Sequence, residues 1–389
     1  MRLHDVLIIG CGPAGSTAAF LLARAGLSVA MFDKCVFPRQ KLCGGLLPDK
    51  TVRVVERLFG IHRSSLQDKG VIVHTSNTYR IYSGGRLLVE GRSPRPFTLV
   101  DRAAYDSFLL ELARTQGVEI HEGQKVERVD PYGTFIETAS GARHYGRFII
   151  GADGALGVTA RCAANALARE RDRRILAGSL DVTLPVEKLG RPVFCPEILL
   201  GYVDWGYAWA FPSGRSVTLG LGGLQRKNKK TFKELLNDIC EDIGVKRLGE
   251  TEPKGHPIPF GRPGDRLAVG SLVLVGDAAG LADPITGEGV YSAHLSSEAA
   301  SAAVIRALRY GGSLGAIYRR LIDRRLLGLL EGAARLQPLV YTALEVLPRS
   351  VSGMLVRRFH TRALRVINGD KGYPFSRTGH PDAALPSFV

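Results

Sequence analysis

The most informative segment of this sequence lies near the N-terminus and reads Val6-Leu7-Ile8-Ile9-Gly10-Cys11-Gly12-Pro13-Ala14-Gly15. Its first four residues form a short apolar run, which is typical of a buried strand. The glycines have the Gly-x-Gly-x-x-Gly spacing, and residues 16–25 have the composition of a helix. A second apolar run, Val29–Phe32, ends at Asp33. This order of strand, tight turn, helix and second strand predicts a βαβ unit that binds a dinucleotide.

Each part of the motif has a physical role in this prediction. The glycines permit a tight turn and let the backbone approach a pyrophosphate at the helix N-terminus. Asp33, at the end of the second strand, can accept hydrogen bonds from ribose hydroxyls. Two plainer interpretations stay open: a glycine-rich surface turn, and an Asp33 carboxylate that only caps its own loop.

Two later segments also consist of an apolar strand that ends in a turn containing aspartate. Residues 148–150 lead into Gly151-Ala152-Asp153-Gly154, and residues 272–275 lead into Gly276-Asp277. After the second turn, Gly287-Glu288-Gly289-Val290 precedes a helix of small residues at 292–303. The N–H groups that open this helix can face a phosphate or a flavin ring.

Taken in order, these segments resemble the FAD-dependent geranylgeranyl reductase family, within the flavoproteins built like p-hydroxybenzoate hydroxylase. The resemblance runs from Asp5 to about Arg335 and includes two more segments, residues 37–45 and Arg102 with Asp106. It implies an α/β fold (α+β overall) with a discontinuous Rossmann-type FAD-binding domain at 1–70, 101–175 and 265–335. An inserted, mostly antiparallel substrate-binding sheet would take 71–100 and 176–264, and a C-terminal helical region would take 336–389.

The resemblance also implies which residues contact FAD. The glycine loop would hold the pyrophosphate, Asp33 the adenosine ribose, Val126 the adenine through its backbone, and Asp277 the ribityl or pyrophosphate region. The family usually has Glu at the ribose position, and Asp33 is one methylene shorter. The complete predicted set is Gly10, Gly12, Ala14, Gly15, Asp33, Lys34, Arg39, Cys43, Gly44, Arg102, Val126, Asp153, Gly154, Gly276, Asp277, Gly287, Gly289 and Val290.

The pair Cys43-Gly44 is the most informative part of the segment Phe37-Pro38-Arg39-Gln40-Lys41-Leu42-Cys43-Gly44-Gly45. In the reductases such a pair lies close to the flavin. Arg39 and Lys41 make the neighbourhood positive, which favours an anionic reduced flavin and a lowered thiol pKa. Cys43 is therefore a candidate catalytic residue for gating or protonation, and a small buried filler is the plainer interpretation.

A second catalytic candidate, Tyr207, opens the string Tyr207-Ala208-Trp209-Ala210-Phe211-Pro212, which the reductase family shares. Alternation along a strand places Tyr207, Trp209 and Phe211 on one face. Three aromatic rings on one face can line an apolar channel for a long isoprenoid chain, although ordinary core packing also fits. His256 is a fourth predicted substrate-binding residue; it is a candidate proton donor or simply a hydrogen-bonded histidine.

Composition narrows the class of protein. The chain has 389 residues, 45% of them hydrophobic, six cysteines without a CxxC pair, and a net charge of +15. Residues 301–389 contain 14 Lys and Arg against 5 Asp and Glu, which places +9 of that charge there. In the helix predicted at 352–367, Leu355, Phe359, Ala363 and Val366 share one face, and Arg357, Arg358, Arg362 and Arg365 share another. That pattern fits an anionic membrane surface or a docked helix with solvated arginines.

These observations predict a cytoplasmic protein, possible peripheral attachment to the inner membrane face, no nucleic-acid partner and no metal site. The resemblance implies that it reduces carbon–carbon double bonds in the prenyl chain of a lipid, diphosphate, pigment precursor or quinone. The alternative of the same fold is an FAD-dependent aromatic or lipid monooxygenase. Halogenase chemistry and a non-catalytic lipid-binding flavoprotein are less favoured. The electron donor is left open between NADPH and a redox partner protein such as ferredoxin.

Overall fold

The computed structural model describes residues 3–166, 176–245, 251–260 and 267–377. The strands, in chain order, are β1 Leu3–Ile9, β2 Val29–Phe32, β3 Leu46–Leu47, β4 Ile72–Ser83, β5 Arg86–Val100, β6 Glu119–His121, β7 Val126–Asp130, β8 Phe135–Thr138, β9 Arg143–Gly151, β10 Leu176–Pro185, β11 Glu197–Leu200, β12 Gly206–Ser213, β13 Ser216–Gly223, β14 Lys254–Pro259, β15 Ala268–Val269 and β16 Leu272–Leu274. The helices are α1 Pro13–Arg24, α2 Asp49–Phe59, α3 Arg63–Asp68, α4 Arg102–Thr115, α5 Val158–Ala166, α6 Phe232–Ile243, α7 Val290–Tyr310, α8 Leu314–Ile322, α9 Gly328–Val346 and α10 Arg349–Ile367.

The first sheet has a parallel centre in the order β16-β9-β1-β2-β6. Residues 6–9 of β1 and all of β2 are apolar because helices cover both faces of a parallel sheet; Val6, Leu7 and Ile8 are completely buried. Since the strands run in one direction, their carboxyl ends meet at one edge. The glycine loop, Asp33 and the turns after β9 and β16 therefore lie side by side.

The second sheet has the order β14-β10-β13-β12-β11-β4-β5-β3 and is antiparallel except for the β11–β4 pair. One face packs on α6 through Leu236 and Ile239, which are fully buried. The opposite face contains Tyr207, Trp209 and Phe211 and contacts the loops of the first sheet. The predicted architecture, a Rossmann-type domain with a mostly antiparallel sheet and C-terminal helices, is confirmed.

The C-terminal helices connect the two sheets. A π-helical turn, Asp323–Leu327, joins α8 to α9, and α9 continues through Pro338. Helix α10 lies on β5 with Val356 and Leu364 inward, and a hydrogen bond of 2.7 Å joins His360 Nδ1 to Tyr79 Oη. The predicted apolar face is therefore offset from the packed one, because Phe359 remains 47% exposed. Among the described residues, no helix combines the length and apolar character that a membrane span requires.

Candidate active site

The glycine loop has a geometry that only glycine permits at two of its positions. Gly10 has φ +100°, and a Cβ on Gly15 would lie 1.8 Å from the Gly10 carbonyl oxygen. A Cβ on Gly12, by contrast, would meet only Arg39 Nη2, at 3.5 Å. Helix α1 has Pro13 at its first turn, no side-chain cap and no acidic residue there. Its N-terminal N–H groups are therefore available to an anion.

Asp33 holds this loop in place. Its Oδ2 accepts a hydrogen bond from the Cys11 N–H at 2.8 Å, and its Oδ1 accepts one from the Cys35 N–H at 2.9 Å. The loop-capping role is thus observed. Each carboxylate oxygen keeps a second lone pair, so the predicted contact with a ribose hydroxyl stays a prediction that this geometry allows.

Two arginines share one buried carboxylate beside the loop. Arg102 donates to Asp106 from Nε at 3.0 Å and Nη2 at 3.1 Å, and Arg39 Nη2 lies 3.2 Å from the same carboxylate. Burial lowers the pKa of Arg102, but Asp106 and a hydrogen bond with Cys43 outweigh this effect and raise it overall. Two guanidinium groups against one carboxylate leave a net positive charge next to Gly12.

The remaining predicted cofactor residues fall into two groups. Gly276, Asp277, Gly287 and Gly289 lie between β16 and α7, and Val290 is the first residue of α7. Gly287 has φ +67° and open space around it. Burial raises the pKa of Asp277, opposed by Lys41 and Arg102.

Of the others, Asp153 directs its carboxylate toward α5, where it accepts from the Thr159 N–H at 3.1 Å and from the Thr159 hydroxyl. Gly154 follows with φ +82° and open space around it, and Ala14 is buried in the first turn of α1. Val126 opens β7 and is 7% exposed, and Lys34 is exposed beside Asp33.

The three aromatic residues of β12 share one face, as alternation predicted. The ring centroids of Tyr207 and Trp209 are 5.8 Å apart, and those of Trp209 and Phe211 are 6.1 Å apart. A Cβ on Gly44 would lie 2.7 Å from the Phe211 ring and 3.1 Å from Trp209 Nε1. The Cys43-Gly44 turn therefore packs directly on this aromatic face, and only glycine fits at the second position.

The Tyr207 hydroxyl belongs to a clamp on the loop before α7. It donates to the Thr286 carbonyl, while Tyr341 Oη donates to the Ile285 carbonyl at 2.7 Å and Gln337 Nε2 donates to the Pro284 carbonyl at 2.6 Å. Three consecutive carbonyls are thus held by three side chains from β12 and α9. Burial raises the pKa of Tyr207, so its proton stays in the clamp. Nothing in the local sequence indicated Gln337 or Tyr341.

Cys43 lies two residues after Lys41, which pairs with His256. The Cys43 sulfur accepts from the Gly45 N–H at 3.4 Å. Lys41 Nζ donates to Nε2 of His256 at 2.6 Å. Burial and then Arg102 lower the pKa of Lys41 to about 8, and burial and then Lys41 lower that of His256 to about 4. At neutral pH the pair is therefore an ammonium facing a neutral imidazole.

The sequence interpretation missed one acidic residue on the same sheet face. Asp181 in β10 is 6% exposed, and its Oδ1 has no hydrogen-bond partner in the described part of the chain. Register pairs Asp181 with Gly220 and Gly220 with Trp209. Glycine inside a strand signals close approach of other groups, so Gly220 was the available hint.

The residues of this edge fit FAD. Three features suit a pyrophosphate: the N-terminus of α1 without a side-chain cap, the open approach at Gly12, and the positive Arg39–Arg102 pair. Open space at Gly287, next to the clamp and the aromatic face, suits a flat ring system.

The comparisons agree with this fit. Residues 4–294 match the FAD binding domain family. The chain is 30% identical over 319 residues to the geranylgeranyl diphosphate reductase of Rhodobacter capsulatus, covering 79% of this chain and 76% of the relative. It is 28% identical over 334 residues to the digeranylgeranylglycerophospholipid reductase of Methanocella arvoryzae, covering 79% of each.

A solved structure extends the likeness to the fold. The geranylgeranyl bacteriochlorophyll reductase-like protein of Thermoplasma acidophilum superposes with a TM-score of 0.76 at 20% identity, over 97% of this chain and 94% of that one. The chain is therefore a flavin-dependent oxidoreductase that belongs to the FAD binding domain family and, within it, to the geranylgeranyl reductases.

Proposed function

We propose that this enzyme reduces carbon–carbon double bonds in the prenyl chain of a lipid, diphosphate, pigment precursor or quinone. One observation carries the proposal: the aromatic face of Tyr207, Trp209 and Phe211 packs on the Cys43-Gly44 turn, beside the loops that fit FAD. An isoprenoid chain needs such an apolar wall next to the reacting group. The two relatives, a geranylgeranyl diphosphate reductase and a digeranylgeranylglycerophospholipid reductase, point to the same substrate class.

When bound, reduced FAD supplies a hydride equivalent to one alkene carbon. The chain's own residues bind the apolar substrate and exclude water through Trp209 and Phe211, which are both 7% exposed. Holding the alkene at near-attack distance is the main task, because an isolated alkene is a poor hydride acceptor. Tyr207 supports this task by fixing the Thr286 carbonyl, and Cys43 is proposed to gate the approach beside Arg102.

Anaerobic single turnover tests the proposal. Reduced holoenzyme is mixed with geranylgeranyl diphosphate, a digeranylgeranyl glycerolipid or a prenylated quinone. Flavin reoxidation with a product that has gained two hydrogens per reduced bond is expected. Trp209→Ala should slow it, whereas Phe194→Ala, on an exposed residue outside this face, should not. Failure to reoxidise with every prenyl substrate would refute the proposal, and an oxygenated product formed only in air would favour a monooxygenase.

The electron donor is proposed to be NADPH or a small acidic redox protein such as ferredoxin. The net charge of +15 supports an anionic donor in either form. Stopped-flow reduction of the flavin by each donor at two ionic strengths decides between them. Rapid reduction by NADPH alone would remove the redox protein from consideration.

The C-terminal helices are proposed to contact an anionic membrane at its cytoplasmic face. Leu339, Val346 and Met354 are 62%, 71% and 62% exposed, and Arg358 and Arg362 are exposed on α10. Apolar side chains next to basic ones suit the interface of an anionic lipid surface. Sedimentation with phosphatidylglycerol vesicles should exceed that with phosphatidylcholine vesicles, and replacement of both arginines by Gln should reduce it. Equal sedimentation with both lipids would contradict the proposal.

A further inference from the structure

A row of residues crosses the substrate-facing side of the second sheet. Register aligns Lys254 of β14, Asp181 of β10, Gly220 of β13 and Trp209 of β12. Residues in register share a face, so the Asp181 carboxyl and the Trp209 indole stand on either side of a strand position without a side chain.

The space between these two groups is narrow. A Cβ on Gly220 would lie 2.3 Å from Asp181 Oδ1 and 2.6 Å from Cε2 of Trp209. The indole continues across Gly222, where an added Cβ would lie 3.5 Å from the ring. The two glycines thus leave a trough in the sheet surface, and the Asp181 carboxyl and the Trp209 indole fill it.

Two buried polar atoms in this row have no hydrogen-bond partner within the described residues: Asp181 Oδ1 and Trp209 Nε1. Buried polar atoms without a partner are rare and call for an explanation. An alkene that lies over this filled trough, against the carboxyl and the indole, would explain Asp181, because a carboxyl group that donates its proton to carbon needs an oxygen free of other hydrogen bonds.

The charges around Asp181 support a protonated carboxyl near neutral pH. Burial raises its pKa to about 7, and Lys41 opposes that rise. The other charged or titratable groups on this side include Lys254, whose ammonium donates to Gln40 at 2.9 Å, the neutral His256, the Tyr207 hydroxyl in its clamp, and the Cys43 thiol on the turn that packs on the aromatic face. Lys41 therefore supplies the principal opposing charge.

Resting on the function proposed above, we propose that Asp181 is the proton donor of the reduction. Its carboxyl O–H bond breaks and the proton forms a C–H bond at one alkene carbon, while the other carbon receives the hydride equivalent from reduced FAD. The π bond is consumed, oxidised FAD is left, and Asp181 becomes a carboxylate facing the Lys41 ammonium. A carboxylic acid is a weak proton donor to carbon and an isolated alkene is a weak hydride acceptor, so both transfers gain when they share one transition state.

The carboxylate then has to recover its proton. Lys41 is an acid of suitable strength, and its hydrogen bond of 2.6 Å leads to His256, which is only half-buried. Solvent protons can reach the trough along this pair.

The first test does not need turnover. Infrared titration of the FAD-loaded enzyme should show a protonated carboxyl C=O band that disappears as pH rises through neutrality, is absent in Asp181→Asn, and persists in Thr183→Val. Thr183 is the matched control because it is the next residue on the same face of β10 and is exposed. A group that ionises near the ordinary aspartate pKa of about 3.9, or a band that remains in Asp181→Asn, would overturn the assignment.

The second test is anaerobic single turnover. Asp181→Asn should bind FAD and prenyl substrate normally but reoxidise about 10²- to 10⁴-fold more slowly, with a flat pH profile. The wild-type rate should fall above neutral pH, because the acid form is the active one, and Asp181→Glu should restore part of the rate. Equal rates and pH profiles in wild type and Asp181→Asn would refute the Asp181 role alone. An inactive wild type would instead refute the proposed function.

Discussion

Gly220→Ala directly tests how closely the Asp181 carboxyl and the Trp209 indole pack over the trough at Gly220. The added methyl would lie 2.3 Å from the Asp181 carboxyl and 2.6 Å from the indole ring, about 1 Å or more inside the optimal contact distance of about 3.5 to 4.0 Å. The indole cannot retreat freely, since Gly44 lies against its Nε1 and Phe211 stacks beside it. Overpacking of this kind costs about 1–3 kcal/mol, or roughly a 5- to 150-fold change in the unfolding equilibrium.

Urea unfolding, indole fluorescence and anaerobic single turnover measure the effect. Gly255→Ala is the matched control on β14, which pairs with β10 in the same sheet, because its Cβ would meet only Ser179 O at 3.4 Å and Leu180 Cδ1 at 3.9 Å. We expect the control to be neutral or slightly stabilised, while Gly220→Ala loses stability, shifts its fluorescence and slows turnover. The free energies of unfolding of the two variants could instead agree within about 0.5 kcal/mol, the error typical of independent sites, with unchanged fluorescence and rate. In that case Asp181 and Trp209 do not pack closely over Gly220.

The remaining predictions concern stability and cofactor binding. Glu298 is 2% exposed and accepts from Arg57 at 2.7 and 2.8 Å and from Arg325 at 2.6 Å. Glu298→Gln should therefore lower the free energy of unfolding by about 3–5 kcal/mol. Glu111 belongs to an exposed ion pair, so Glu111→Gln should lower the free energy of unfolding by only about 0–1 kcal/mol. Similar losses for the two variants in urea titrations would contradict this. Gly15→Ala should prevent α1 from docking and abolish FAD retention together with stability, whereas Gly12→Ala should keep its stability and lose FAD affinity. Calorimetry measures the stability of the two variants, and flavin fluorescence measures their FAD affinity. Equal FAD affinity in Gly12→Ala and wild type would argue against a pyrophosphate position beside Gly12. Tyr341→Phe leaves the Ile285 carbonyl without its donor and should cost about 1–3 kcal/mol in chemical unfolding, and an unchanged stability would show that the clamp is replaced by solvent.

Short-range patterns explain most of what could be predicted from the sequence. The apolar runs at 6–9 and 29–32 and the glycine spacing between them depend on neighbouring residues alone, and the structure has the βαβ unit there. Alternation likewise placed Tyr207, Trp209 and Phe211 on one face, because the side-chain period of a strand is two residues.

Long-range pairing explains most of what could not be predicted. The row through Asp181, Gly220 and Trp209 exists only because β10, β13 and β12 pair in one register, and no local pattern specifies it. The packed face of α10 depends on Tyr79, which is 281 residues from its partner His360. The clamp on residues 284–286 similarly joins α9 to a loop that is distant in the chain.

The strand order of the first sheet has a consequence for how the chain is made. β1 pairs with β9, β9 pairs with β16, and α1 packs on α7, which ends at Tyr310. Ribosomes add about 5–20 residues per second, so helix α1 waits roughly 15 to 60 s for its partner α7. During that interval Ile149 and Ile150 have an open strand edge that β16 later covers. A nascent chain halted before Leu272 would therefore expose the unpaired edge of β9 to chaperones or to other nascent chains. FAD would bind only after synthesis has passed α7.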